Sequence, residues 1–334
     1  MSHRFIVRAA SLGTLTAALA TTLATTLATT LAATLLFTPT AAHAQQDSSE
    51  CDRACLRKAL DTYLAGVFKH DPAAARLTDD HYATQNTAVV RNGEGFWKDI
   101  NGYGALQRRY FDPVNGAAAF LGLLKQNGQD TVSSVRIKVE GGKVSEAEWI
   151  VEEPGRGSSA AAQRDASLDA AQRQIRHEAD DMMQYPPPEG SLPESERSSR
   201  FYLISMANNY FQSGANHDAA WIPTDLRCKD PAPNPITSSP RHADLCHDNF
   251  GIYKNITKDL ALRRFPLVDE EAGVILGAAI WVRYPGVTRK DNMVNEYFQV
   301  RNGAFTYIWT CNYELPKGSP VTSGWENHQG DITH

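Results

Sequence analysis

The chain has 334 residues, of which 42% are hydrophobic and 21% charged, and a formal net charge of −5. That length is enough for two domains of ordinary size. A mild acidic excess without any basic cluster excludes nucleic acid as a partner and charge-driven attachment to anionic membranes.

Residues 1–44 read as a signal peptide for export. Arg4 and Arg8 supply the positive start, an alanine- and threonine-rich run reaches Phe37, and Ala42-His43-Ala44 is a small-x-small cleavage site. The run is weakly hydrophobic for a membrane-spanning helix, which favours cleavage over a retained anchor. The expected location is secreted or periplasmic, with no membrane contact after cleavage. An exported chain permits disulfides among its five cysteines. Cys51 and Cys55 stand four apart where a helix begins. Cys228 and Cys246 bracket a loop rich in Pro, Ser and Asn, and Cys311 is left as a small buried hydrophobe. No CxxC pair exists, and His242, His247 and Asp248 near Cys246 lack ligand spacing, so no metal is expected.

Leu56, Leu60, Tyr63, Leu64 and Val67 recur at helical spacing and predict an amphipathic first helix. Asp71 and Pro72 open a second helix as N-cap and first residue, and "GEGFWKDI" from Gly93 holds a third. Strands follow at "AAAFLGLLKQ", "TVSSVRIKVE" and "KVSEAEWIVE", the last two joined at Gly141-Gly142 as a hairpin. Residues 153–199 form a linker with a helical segment at 167–183 and ends of flexible composition. The second half ends in "GVILGAAIWVRY", "NEYFQVRN" and "AFTYIWTCNY", with a hairpin at Asn302-Gly303.

The two halves say the same thing. "RRYFDPVNGAAAFLGLL" from Arg108 faces "RRFPLVDEEAGVILGAA" from Arg263. Tyr63, His70 and Asp71 are answered by Tyr210, His217 and Asp218 at an offset of 147, which drifts to 161 at the final hairpin. Loop insertions between matched elements produce such a drift, so a duplication is expected. Helices first and an antiparallel meander after them make each copy an α+β layer, helices on one face of a curved antiparallel sheet.

The run "CDRACLRKALDTYLAGVFKHDP", the "GEGFWK" helix, the "YFDPVNG" turn and the "VEGGKVSEAEWIV" strand resemble the SnoaL-like group of the NTF2-like superfamily. "RRFPLVDEEAG" and Cys228 resemble the second copy of its exported form with two tandem domains. The resemblance implies two cone-shaped lobes, 45–152 and 200–316, followed by a tail at 317–334. It implies a pseudo-dimer packed sheet to sheet within one chain, with a further homodimer left open. Relatives of this group include cofactor-free cyclases, isomerases, dehydratases and lyases, together with non-enzymatic binders. No cofactor is implied, and no phosphate loop or nucleophile elbow is present.

Such lobes hold ligands between the first helix and the sheet, and that geometry selects the candidates. Glu94 beside Trp97 would be a desolvated carboxylate with a raised pKa, serving as proton shuttle, while Trp97 packs a substrate ring. The second half has Asn249 or Phe250 near the place of Glu94, so the acid belongs to one copy. Structurally, Glu94 would only bond the backbone at a helix start. Tyr63 and His81 would polarise or orient the substrate. The competing readings are a core tyrosine bonded to a carbonyl and a histidine at a strand edge in water. Asn86, Tyr110 and Tyr210 complete the expected substrate contacts. In "TQN" Gln85 stands where the family has an acid, which puts a carboxylate base there in doubt. His70-Asp71 and His217-Asp218 read as helix-start structure. The expected function is a secreted, cofactor-independent lyase, isomerase or cyclase acting on a small apolar or aromatic molecule. The alternative is a non-catalytic small-molecule binding protein of the same fold.

Overall fold

Asp52 caps the first helix, α1 (Arg53–Phe68), by accepting the Cys55 N–H at 2.8 Å, and Leu56, Leu60, Tyr63, Leu64 and Val67 form its buried stripe. The computed structural model describes residues 51–152, 182–183, 186–218, 253–326 and 328, all within one unit, Asp47–His334. Asp71 starts only a single 3-10 turn, Pro72–Ala75, by accepting the Ala73 N–H. Strands β1 (Leu77–Gln85) and β2 (Ala88–Val89) and the one-turn helix α2 (Phe96–Asp99) follow. An antiparallel meander then runs through β3 (Ile100–Asp112), β4 (Ala117–Gln126), β5 (Gln129–Glu140) and β6 (Lys143–Val151). Strand β1 adds to β6 in parallel, giving the order β2-β1-β6-β5-β4-β3.

Ser199 caps α3 (Arg200–Asn216), whose Leu203, Met206, Ala207, Tyr210 and Phe211 are buried at helical spacing. Strands β7 (Thr257–Asp269), β8 (Val274–Arg283), β9 (Asn292–Arg301) and β10 (Ala304–Glu314) form a four-stranded antiparallel sheet. The hairpins turn where expected. Gly141-Gly142 and Asn302-Gly303 have positive φ throughout, 56° and 74°, then 52° and 74°, as two-residue turns matched to strand twist require.

Strands β3 and β7 are among those that escaped the sequence pattern. The chain from Ile100 through the Arg108 repeat forms the edge strand β3, and β7 is its counterpart. Register shifts between Ile100 and Gly102 and between Tyr103 and Gln107 break the alternation that marks a strand. The linker reading also needs correcting at its end. Residues 186–199 are pinned: Leu192 N–H donates to the Glu271 carbonyl at 2.7 Å, and Tyr110 O–H to that of Pro188 at 2.8 Å. The 167–181 part of the helical segment, the signal peptide and the Cys228–Cys246 pair lie outside the described residues.

Three apolar clusters set the layering. One joins α1 to the six-stranded sheet, one joins α3 to the four-stranded sheet, and the third lies between the sheets. The order is therefore helix, sheet, sheet, helix. Two reciprocal braces lock it. Asp269 accepts both terminal nitrogens of Arg53 (2.6 and 3.1 Å) and the N–H groups of Phe111 and Ala272. Asp112 accepts both terminal nitrogens of Arg200 (2.8 and 2.8 Å) and the N–H groups of Val268 and Asn115. Each helix start thus reaches the strand end of the other half, and both carboxylates are fully buried.

After β10 the chain crosses to the first half. Trp325 donates to Thr84 Oγ1 at 3.0 Å and lies 5.0 and 5.5 Å from the guanidiniums of Arg136 and Arg264. Beneath it Arg136 pairs with Glu146 at 2.7 Å, and Arg264 with Glu148 at 2.5 Å. Burial alone would push the Glu146 carboxyl up, but Arg136 beside it brings it below the ordinary range.

Cys51 and Cys55 are disulfide-bonded. Their separation of four closes a very short loop, so Cys51→Ser with Cys55→Ser should lower unfolding free energy by only about 2 kcal/mol in urea titration. A loss near zero would mean that α1 is already held by its packing. Among the described residues no helix is long and apolar enough to cross a membrane.

Candidate functional site

The interior between α1 and the six-stranded sheet is walled by rings. The Tyr63 hydroxyl accepts the Trp149 Nε1–H at 3.0 Å, and Trp97 meets the Tyr63 ring edge-on with centroids 5.8 Å apart. Phe96 stacks on Trp149 at 4.2 Å, and the His81 ring lies 6.2 Å from that of Tyr63. Gln85 positions α2: its Oε1 accepts the Phe96 N–H at 2.7 Å, which turns both Phe96 and Trp97 inward.

Polar groups here are left over. His81 Nδ1 bonds Asn92 Oδ1 at 2.8 Å; an amide oxygen only accepts, so Nδ1 carries the hydrogen and Nε2 keeps a lone pair. That Nε2 is buried with no hydrogen-bond partner, and so is Nε1 of Trp97, a residue only 1% exposed. Burial pushes the His81 imidazole below its ordinary range despite Asn92 and the nearby Asp80 and Glu146, which favours the neutral ring. Burial also pushes the Tyr63 phenol far above its range, so it stays a neutral hydroxyl. The site can therefore offer a nitrogen lone pair and an indole N–H beside a protonated phenol.

Tyr63, His81 and Trp97 come together, but the other expected residues do not join them. Glu94 is exposed on the turn before α2, contributing backbone bonds with Arg91 and Trp97. The expected desolvated carboxylate is thus absent from Glu94. Gly95, with φ of 58°, reverses the chain between them, so Trp97 turns inward while Glu94 stays in water. Asn86 spends both amide atoms on the backbone of Val151, at 3.0 and 2.9 Å, stitching β1 to β6 instead of facing a ligand. Tyr110 lies on the other face of the sheet, 5.7 Å from the Tyr297 ring, because its parity along β3 directs it between the sheets. Tyr210 faces the interior of the second half, edge-on to Phe298 at 4.8 Å. His70 and His217 each bond a backbone carbonyl, of Trp97 and Thr257 respectively, and both have left-handed backbone.

One acid was missed. Glu296, on the helix-facing side of β9 with Val294 and Phe298, is 2% exposed. Its Oε1 accepts from Thr310 Oγ1 at 3.0 Å, and its Oε2 is buried without a partner. Burial pushes this carboxyl up to about 8, with the Thr310 bond pulling weakly the other way. The signal was available: at the offset of 161 Glu296 aligns with Val135, an acid where the first half has an apolar residue.

A family model described as a domain of unknown function (DUF8021) matches residues 196–311. Curated proteins give no match. Among solved structures, an NTF2-like protein of unknown function from Cytophaga hutchinsonii is 12% identical, with a TM-score of 0.25 over 29% of this chain and 89% of that one. A de novo designed protein with a curved β-sheet is 17% identical, with a TM-score of 0.26 over 31% of this chain and 90% of its own.

Proposed function

We propose that the chain is an exported pair of tandem NTF2-like lobes whose first lobe carries out cofactor-independent proton transfer on a small aromatic carbonyl compound. The observation that carries this reading is the unpartnered His81 Nε2 and Trp97 N–H beside the Tyr63 hydroxyl, inside an aromatic wall. A neutral imidazole nitrogen accepts a proton from carbon next to a carbonyl, and two neutral donors hold the oxygen on which charge develops. His81 is the base, Tyr63 and Trp97 are the donors, and Glu94 has no part. The repeated sequence phrase and the reciprocal Arg53–Asp269 and Arg200–Asp112 braces support the duplication. The Cys51–Cys55 disulfide supports export to an oxidising compartment.

The second reading is a binder. It is favoured by how apolar the lining is: Tyr63, Phe96 and Trp149 present rings that are withdrawn from water. Deuterium exchange into acetophenone and related aryl ketones, followed by NMR in heavy water, separates the two. Wild type should catalyse the exchange, His81→Gln should slow it by roughly 10²–10⁴-fold, and Glu94→Gln should leave it unchanged. No exchange over buffer by wild type, with saturable binding of the ketone, would establish the binder instead.

A further inference from the structure

The same row of the sheet is built differently in the two halves. In the first, Val135 on β5 sits between Phe120 on β4 and Trp149 on β6, all three facing the interior. In the second, the register places Glu296 on β9 between Gly277 on β8 and Thr310 on β10. Two large rings are replaced by a glycine and a threonine, and the apolar residue between them by a carboxyl. Phe211 of α3 takes back part of the space, since a Cβ on Gly277 would lie 2.8 Å from its ring. The remaining wall is aromatic: Tyr210 against Phe298, and Tyr253 against Trp281 at 5.2 Å. Nothing the first site does requires this arrangement.

A buried carboxyl with one oxygen unpartnered is expensive as a structural element. Valine at this position serves the first half well, so packing does not explain the acid. We propose that the interior of the second half is a separate small-molecule site, in which Glu296 hydrogen-bonds an uncharged aromatic carbonyl or amide. Oε1 is held by Thr310, so the carboxyl is already oriented and Oε2 is the atom offered to the ligand. A protonated carboxyl both donates and accepts, which complements a primary amide with its adjacent carbonyl and N–H. An anionic ligand would meet an acid with no cation against it among the described residues, and a cationic ligand would have to shed its hydration among rings. The ring of Tyr210, whose hydroxyl lies close enough to Glu296 to feel its charge, supplies the flat surface for the aromatic part.

The test uses the full chain labelled with ¹³C at glutamate carboxyls, the Glu296 resonance being the one lost in Glu296→Gln. Benzamide is the probe, with benzoate and benzylamine as charged comparisons. Benzamide should shift the Glu296 resonance saturably and more tightly than either comparison. Glu296→Leu should weaken benzamide binding at least about tenfold, the cost of one lost buried hydrogen bond. His81→Gln should leave it unchanged, which keeps this site distinguishable from the first. A Glu296 resonance unmoved by millimolar benzamide overturns the proposal, and wild type alone decides this if Glu296→Leu fails to fold. Equal affinity in folded Glu296→Leu, read from the Tyr210 ring resonances so that binding in the first half does not count, overturns it as well.

Discussion

Asp269→Ala should destabilise the protein by roughly 3–5 kcal/mol, among the largest effects of any single substitution. The carboxylate is fully buried and is the common acceptor for Arg53, the Phe111 N–H and the Ala272 N–H. Alanine would leave a half-buried guanidinium and two backbone donors without their acceptor, and Phe111 and Asp269 belong to different sheets. Asp112→Ala should behave in the same way, since it holds Arg200, the Val268 N–H and the Asn115 N–H. The near-equality of the two losses is the sharper expectation, because the two braces are the same contact made twice. Urea unfolding of both variants measures it. A loss under about 1 kcal/mol for either would show that the brace is compensated by the apolar core between the sheets.

Stability should fall as pH rises through neutrality, the reverse of ordinary acid denaturation, and Glu296→Gln should remove that fall. In the folded chain burial holds the Glu296 proton up to about 8, against an ordinary value of 4.5. Between those values the folded state binds more protons than the unfolded state, so stability decreases with increasing pH and levels off above the folded value. The whole excursion is worth up to roughly 5 kcal/mol. His81 acts in the opposite direction: its folded value is depressed, so its contribution is lost as pH drops. The difference between wild type and Glu296→Gln cancels His81 and isolates Glu296. Urea midpoints for both proteins at about pH 5 and about pH 8 decide the matter. Parallel changes in the two would mean that Glu296 ionises in the folded state as it does in water.

These two effects come from carboxylates that read very differently along the chain. Asp112 and Asp269 stand in the repeated phrase, but the partners they take were not legible there. Arg53 and Arg200 lie at helix starts 216 and 88 residues away in the pairs they form, each in the opposite half from its aspartate. Arg109 and Arg264, the neighbours within the phrase, pair instead with Asp61 and Glu148. Local spacing shows which residues repeat; it does not show which surfaces meet across a packed interface.

By itself the sequence determined the first helix, the Gly-Gly and Asn-Gly hairpins, the α+β order of each half and the expectation that the halves are copies, but not that Asp71 opens only one 3-10 turn. Those features depend on caps, on positive φ at Gly-Gly and Asn-Gly, and on residues a few positions apart. It also pointed to Tyr63, His81 and Trp97, which the fold gathers around one ring. Only the tertiary structure decided which acid is withdrawn from water. Glu94 and Glu296 are both glutamates near aromatic residues, yet one sits on a glycine-reversed turn and the other on the inner face of β9 beneath α3. Strand parity gives a side chain its face, but the free energy of its charge is set by whatever distant segment covers that face.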